Sequence, residues 1–234
     1  MSRWHVVVVV PARDEEQSIK SCVSSIHRAA LLVRPWATVD IVVVADSCTD
    51  ETADVVRRRW PTRCCVLELD AGCVGAARRA GVAAGLSRST ASRDRVWIAN
   101  TDADTTVPVT WLVSQLRLAR RGVAAVAGVV RLDDRVGSAL RHAFAMSYPI
   151  SADGSHAHVH GANLGVRADV YLGAGGWSAQ LCSSEDHDLW GRLVGDNRVV
   201  ATDAVWVITS PRSIGRAPNG FAANIAAHIA ALTA

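Results

Sequence analysis

The sequence predicts an α/β protein built on a mostly parallel sheet with helices on both faces. Three observations carry that expectation. Runs of β-branched residues alternate with helical segments along the first 132 residues. The strand runs are mostly apolar, as strands covered on both faces require. Polar, acidic or glycine-containing segments follow the strands, where ligands bind in sheets of this kind.

The elements follow in order. Trp4–Val10 is an apolar, β-branched run, interrupted by His5 and ending at Pro11. Asp14–Leu32 is expected as a helix with Asp14, Glu15 and Glu16 in its first turn, on the dipole. Val39–Ala45 is a second strand, and Thr49 or Asp50 is expected to cap a helix that stops at Pro61. Cys64–Leu69 and Arg95–Asn100 are strands separated by a glycine-containing helix, Gly72–Leu86. A helix opening at Thr106 or Pro108 runs to about Arg121, before a strand at Val123–Leu132. Beyond residue 133 the pattern loosens. A helix over Arg135–Ser147, a loop over Ser151–His160, a short strand at Asn163–Arg167 and a helical turn at Arg167–Ala174 are expected. Ser184 is expected to cap a helix opening with Glu185 and Asp186, and Arg198–Val207 to be a strand. An Arg-containing loop at Ser210–Gly220 and a final helix complete the chain. With no linker or repeat, residues 1–234 read as one domain in two halves, 1–132 and 133–234.

The chain of 234 residues is half hydrophobic and 20% charged, which excludes a disordered chain. Its net charge of +3 is too weak to imply nucleic acid. No segment reaches the roughly 20 apolar residues of a membrane span. No leader is visible, and the six cysteines form no C-x-x-C, so reduced thiols and a cytoplasmic location are expected.

Asp102-Ala103-Asp104, beyond the fourth strand, is the strongest chemical signal. Two carboxylates there are costly to desolvate, and an oxygen-loving divalent cation offsets that cost. Capping of the next helix explains Asp104 equally well from spacing alone. Pro11-Ala12-Arg13-Asp14-Glu15-Glu16, Asp46-Ser47-Cys48-Thr49-Asp50 and Gly72–Gly81 lie at the same sheet edge. Each has an ordinary structural reading when taken singly.

Together, in this order, the motifs resemble family 2 glycosyltransferases of the GT-A fold. The likeness covers residues 4–132 and resumes at Gly161–Leu193. Its carriers are Pro11–Glu16, Asp46–Thr52, Gly75–Gly81 (with Arg79 where the family has Asn), Asp102–Asp104, Gly161–Arg167, Gly175-Gly176-Trp177 and Glu185-Asp186. The resemblance implies a GT-A sheet and transfer of a sugar from a nucleoside-diphosphate donor, a UDP- or GDP-sugar, to an acceptor hydroxyl of unknown identity. It implies that Pro11, Ala12, Arg13, Glu15, Asp46 and Arg78 hold the nucleotide. Asp102 and Ala103 face the donor, and Asp104 ligates Mg2+ or Mn2+. An inverting reaction needs a base, assigned to Asp186 with Glu185 as substitute or orienter. A helix first turn on the dipole explains this pair without the resemblance.

Arg212 and Arg216 form a candidate clamp on the diphosphate. His158, His160, Gly161, Asn163 and Trp177 are the candidate acceptor contacts. His156, His158 and His160 alternate, so an extended strand would place them on one face. A nucleotidyltransferase of similar sheet would need a glycine-rich loop and a lysine after the first strand, yet Lys20 is the sole lysine. A catalytically inactive nucleotide-sugar-binding module remains the alternative of a different class.

Overall fold

A computed structural model describes residues 3–133, 136–146, 148–195 and 197–210. Strands β1 (Trp4–Ala12), β2 (Ala37–Asp46), β3 (Cys64–Leu69) and β4 (Val96–Asn100) alternate with helices α1 (Ile19–Val33), α2 (Thr52–Arg59) and α3 (Val74–Arg88). Then follow β5 (Thr105–Thr106), α4 (Trp111–Arg120), β6 (Ala125–Leu132), α5 (Ser138–Met146), β7 (Leu164–Arg167), α6 (Ala168–Gly173), α7 (Glu185–Leu193) and β8 (Val199–Thr209). One eight-stranded sheet has the order β3-β2-β1-β4-β7-β6-β8-β5. The strands from β3 to β4 are parallel, and so are β6 and β8. The short β7 is antiparallel to both β4 and β6, and β5 to β8.

The apolar run of β1 is buried on both faces by alternation. Val6, Val8 and Val10 pack with Ile19, Val23 and Ile26 of α1 and Leu112 and Leu116 of α4. Val7 and Val9 pack with Ala77 and Val82 of α3 and Leu189 and Leu193 of α7. Helix α3 lies directly on β1, because Gly81 and Gly85 have no side chain. A Cβ at Gly85 would lie 2.1 Å from Cγ1 of Val7.

Two expected helix starts move, and two expected caps are not made. Helix α1 begins at Ile19, not Asp14, and has no acid in its first turn. Asp14 is left-handed (φ 51°), and the acids serve the neighbouring loop instead of the dipole. The Thr49 amide and hydroxyl donate to Asp14, the Glu16 amide donates to Asp50, and the Glu15 amide donates to the Thr52 hydroxyl at 2.7 Å. Helix α4 begins at Trp111 because Thr105 and Thr106 pair with Thr209 and Ile208. Ser184 precedes α7 at φ 58° and gives no side-chain cap, although Glu185, Asp186 and Asp188 do occupy the first turn. Thr49 and Asp50 likewise stand outside α2, whose N-cap position is Glu51. Asp50 accepts from the Thr52 amide within that first turn.

The register between β6 and β8 breaks at Gly128/Val129. Asn163 fills the break. Its Nδ2 donates to the carbonyls of Val129 (2.9 Å) and Val205 (3.1 Å), and its Oδ1 accepts from Trp111 Nε1 (2.9 Å). Gly128 leaves the room, since a Cβ there would stand 2.2 Å from Asn163 Nδ2.

Candidate active site

β1 pairs with β2 on one side and β4 on the other, so the chain reverses its direction of winding between β1 and β4. In open α/β sheets a crevice opens at that point beyond the carboxyl ends. Pro11–Glu15, Asp46 and Asp102–Asp104 all stand there, at the ends of β1, β2 and β4.

Asp46 is 5% exposed. Its Oδ1 accepts from the amides of Ala71 (2.8 Å) and Gly72 (3.0 Å), and its Oδ2 from that of Cys73 (2.9 Å). It therefore shapes the turn before α3, where Gly72 adopts φ 59°. Glu15 is also buried and accepts from the Ser18 hydroxyl at 2.6 Å. Pro11 is half-buried, Ala12 is buried and Arg13 is exposed. The guanidinium of Arg13 lies 4.0 Å from where a Cβ of Gly72 would stand, so Arg13 spans the gap between the first and third loops.

Asp14, Cys48 and Asp50 bring potential metal-ligand atoms within 4.8 Å of one another. Hydrogen bonds account for this cluster. The two carboxylates accept from residues 16, 49 and 52, and the Cys48 thiol donates to the Ala12 carbonyl at 3.4 Å. The cluster braces the first two loops.

Asp102, Ala103 and Asp104 follow β4; Ala103 is buried and the two acids are half-buried. Beneath them lies Cys22 of α1, whose thiol donates to the Asp102 carbonyl at 3.3 Å. Burial, with Asp104, Asp102 and Glu15 nearby, raises that thiol well above its ordinary range. Nothing in the sequence near Cys22 signals this convergence. The Ser210 amide at the end of β8 donates to the Asp104 carbonyl at 3.2 Å, tying the second half of the chain to this loop.

Arg78, expected to hold the nucleotide, is enclosed by protein groups. It is 2% exposed. Its Nη2 donates to Asp102 Oδ1 (2.7 Å), its Nε to Glu185 Oε1 (3.2 Å) and its Nη1 to the Gly161 carbonyl (3.0 Å). Its guanidinium rests over the Trp177 ring at 5.3 Å. Glu185 is buried, and burial raises its carboxyl above the ordinary range although Arg78 opposes the shift. Asp186 is more open. Its Oδ2 accepts from the Gly161 amide and its Oδ1 from the His187 amide, both at 2.8 Å.

The expected acceptor contacts divide. Trp177, fully buried, supports Arg78 from below and presents no face to a ligand. Asn163, 1% exposed, holds the β6–β8 break described above and has its amide engaged inside the protein. Gly161 sits between Arg78 and Asp186, and a Cβ there would meet Arg78 Nη2 at 2.4 Å. His156, His158 and His160 lie outside any strand, yet their rings do stack in series. Tyr148 lies against His158 with centroids 3.6 Å apart. Arg212 and Arg216 lie outside the described residues.

Burial pushes His160 down to about 4, with Asp186 opposing. The neutral ring is therefore favoured in the folded protein. Its stabilising contribution is complete above the unfolded value of 6.5 and is lost as pH falls from there toward about 4. At about pH 5 the loss amounts to roughly 2 kcal/mol. Denaturant midpoints at about pH 7.5 and about pH 5 check this. His160→Gln is expected to flatten the difference, and an unchanged pH dependence would remove His160 as its source.

All six cysteines are free. Among the described residues, no helix is long and apolar enough to cross a membrane.

Similar folds are known. A mannosyltransferase from Pyrobaculum calidifontis, PcManGT, solved in complex with GDP-Man and Mn2+, superposes with a TM-score of 0.66 at 21% identity. The match covers 92% of this chain and 59% of that one. TarS residues 1–349 from S. aureus, in complex with UDP-GlcNAc, give 0.67 at 15% identity, covering 93% and 61%. A mycobacterial protein gives 0.53 at 14%, covering 97% and 71%. The chain thus spans about three fifths of the length of the first two. No curated protein matches it by sequence. The fold is that of these GT-A structures, and the model of glycosyl transferase family 2 matches residues 7–168. The chain belongs to glycosyl transferase family 2.

Proposed function

We propose that the protein transfers a sugar from a nucleoside-diphosphate donor to an acceptor hydroxyl, with inversion, using Mg2+ or Mn2+. The observation that carries this reading is the single Arg78 guanidinium joining Asp102 to Glu185, which brings the D-x-D loop and the acidic start of α7 together. The donor is a UDP- or GDP-sugar, since the similar folds above were solved with GDP-Man and UDP-GlcNAc.

The first half holds the donor. Pro11, Ala12 and Arg13 line the nucleotide at the β1 edge, while Glu15 and Asp46 shape the surrounding turns from inside. The acids around Cys22 offer oxygen atoms only, a donor set that fits a hard divalent cation. Asp104, on the same loop, is the ligand that the family resemblance assigns to the metal. When bound, the cation neutralises charge developing on the departing diphosphate.

Asp186 takes the acceptor proton. Of the two acids opening α7, Glu185 is buried and tied to Arg78, whereas Asp186 is open to a hydroxyl. The acceptor O–H proton passes to a carboxylate oxygen of Asp186. The acceptor oxygen bonds to the anomeric carbon from the side opposite the leaving group, and the nucleoside diphosphate departs with the electrons of the broken bond. His158 and His160, stacked beside Tyr148, form the acceptor wall.

Thermal melts with UDP-GlcNAc or GDP-mannose, with and without Mn2+, test the donor half. At a donor concentration near 100-fold the Kd, the wild type gains about 2.7 kcal/mol of stability, and Asp104→Ala loses the metal-dependent part. An Asp104→Ala variant that keeps the full Mn2+-dependent gain would refute the metal assignment.

A further inference from the structure

Arg78 has no room for a ligand. It is nearly fully buried, its three guanidinium nitrogens each have a protein partner, and one face is covered by Trp177. Its partners come from three separate regions: the loop after β4, the peptide of Gly161, and the first residue of α7. The Gly161 peptide is shared. Its carbonyl accepts from Arg78 Nη1 at 3.0 Å and its amide donates to Asp186 Oδ2 at 2.8 Å. One rigid plane thus reaches Asp102 directly and Asp186 through one peptide unit. Movement of the β4 loop must be transmitted to α7 or must break one of these bonds.

We infer that Arg78 is a positioning residue, coupling occupation of the donor edge to the placement of Asp186 through the Asp102–Arg78–Gly161 chain. The inference rests on the donor reading above and adds to it a route between the two halves of the site. A planar fork of fixed N–H directions is required for this. Lysine, a point charge with no fork, cannot hold Asp102, Glu185 and Gly161 together in the same geometry.

Hydrogen–deuterium exchange along residues 178–194 tests the coupling, alongside titration with UDP-GlcNAc and GDP-mannose in Mn2+. In the wild type, saturating donor is expected to slow exchange in α7 by about tenfold. Arg78→Lys is expected to bind the donor within about threefold of wild type yet give no added protection of α7. A merely structural arginine would change protection equally with and without donor. Retained donor-dependent protection in Arg78→Lys overturns the inference. So does a loss of affinity in Arg78→Lys with no uncoupling, which would make Arg78 a direct donor contact. If Arg78→Lys fails to fold, Glu185→Ala removes the direct arm from Arg78 to α7 and is read by the same criteria. If the wild type binds neither nucleotide sugar, the donor reading itself fails, and this inference falls with it.

Discussion

Asp186→Asn is expected to lower sugar transfer by about 10³-fold while leaving donor affinity within about twofold of wild type. The substitution removes the proton acceptor and little else. An asparagine carbonyl can still accept from the Gly161 amide, which Asp186 Oδ2 does at 2.8 Å. The amide group then turns toward His187, an exposed residue whose backbone N–H can be satisfied by water. Folding and donor binding are therefore retained, and the deficit falls on the chemical step. Release of nucleoside diphosphate from UDP-GlcNAc or GDP-mannose, measured beside donor affinity, separates the two. Turnover within tenfold of wild type would exclude Asp186 as the base. A parallel collapse of affinity would place Asp186 in the donor site instead.

Asn163→Leu is expected to destabilise the fold by roughly 3–9 kcal/mol, through a mechanism unrelated to ligand contact. Leucine has the same branched heavy-atom skeleton as asparagine and is bulkier, so cavity formation is not the cause. The loss comes from hydrogen bonding. Trp111 Nε1, the Val129 carbonyl and the Val205 carbonyl would all remain buried without their present partner. Each such group costs about 1–3 kcal/mol. Against a typical total stability of about 5–15 kcal/mol, that is enough to unfold much of the protein. Equilibrium denaturation in urea reads the effect. A change below about 1 kcal/mol would show that the amide is not the tie across the β6–β8 break.

The strands of the first half were legible because their sequence is unambiguous. A run such as Val6–Val10 cannot be an edge or a surface, and its alternating burial against α1 and α3 follows from a period of two. The acids at the strand ends were legible for a related reason: charge is costly anywhere else in such a sheet. Helix starts were less legible. Asp14–Glu16 looks like a helix first turn, and only the neighbouring loop, 35 residues later at Thr49, reveals that Asp14 accepts across the gap. The second half is less legible because β7 is four residues long and its pairing with both β4 and β6 leaves no periodic trace.

The layered α/β architecture, the order of motifs along it and the crowding of carboxylates at one sheet edge are written in the order of the residues. These follow from local hydropathy, turn chemistry and the energetic cost of burying charge. Which of those residues can meet a ligand depends on how the chain closes over the sheet. Asn163 and Trp177 have the residue types of contacts but are enclosed, one by a register break and the other beneath Arg78. Arg78 itself finds its partners 24, 83 and 107 residues away. No local pattern encodes such distances, because a guanidinium's partners are set by how helices and loops close over the sheet.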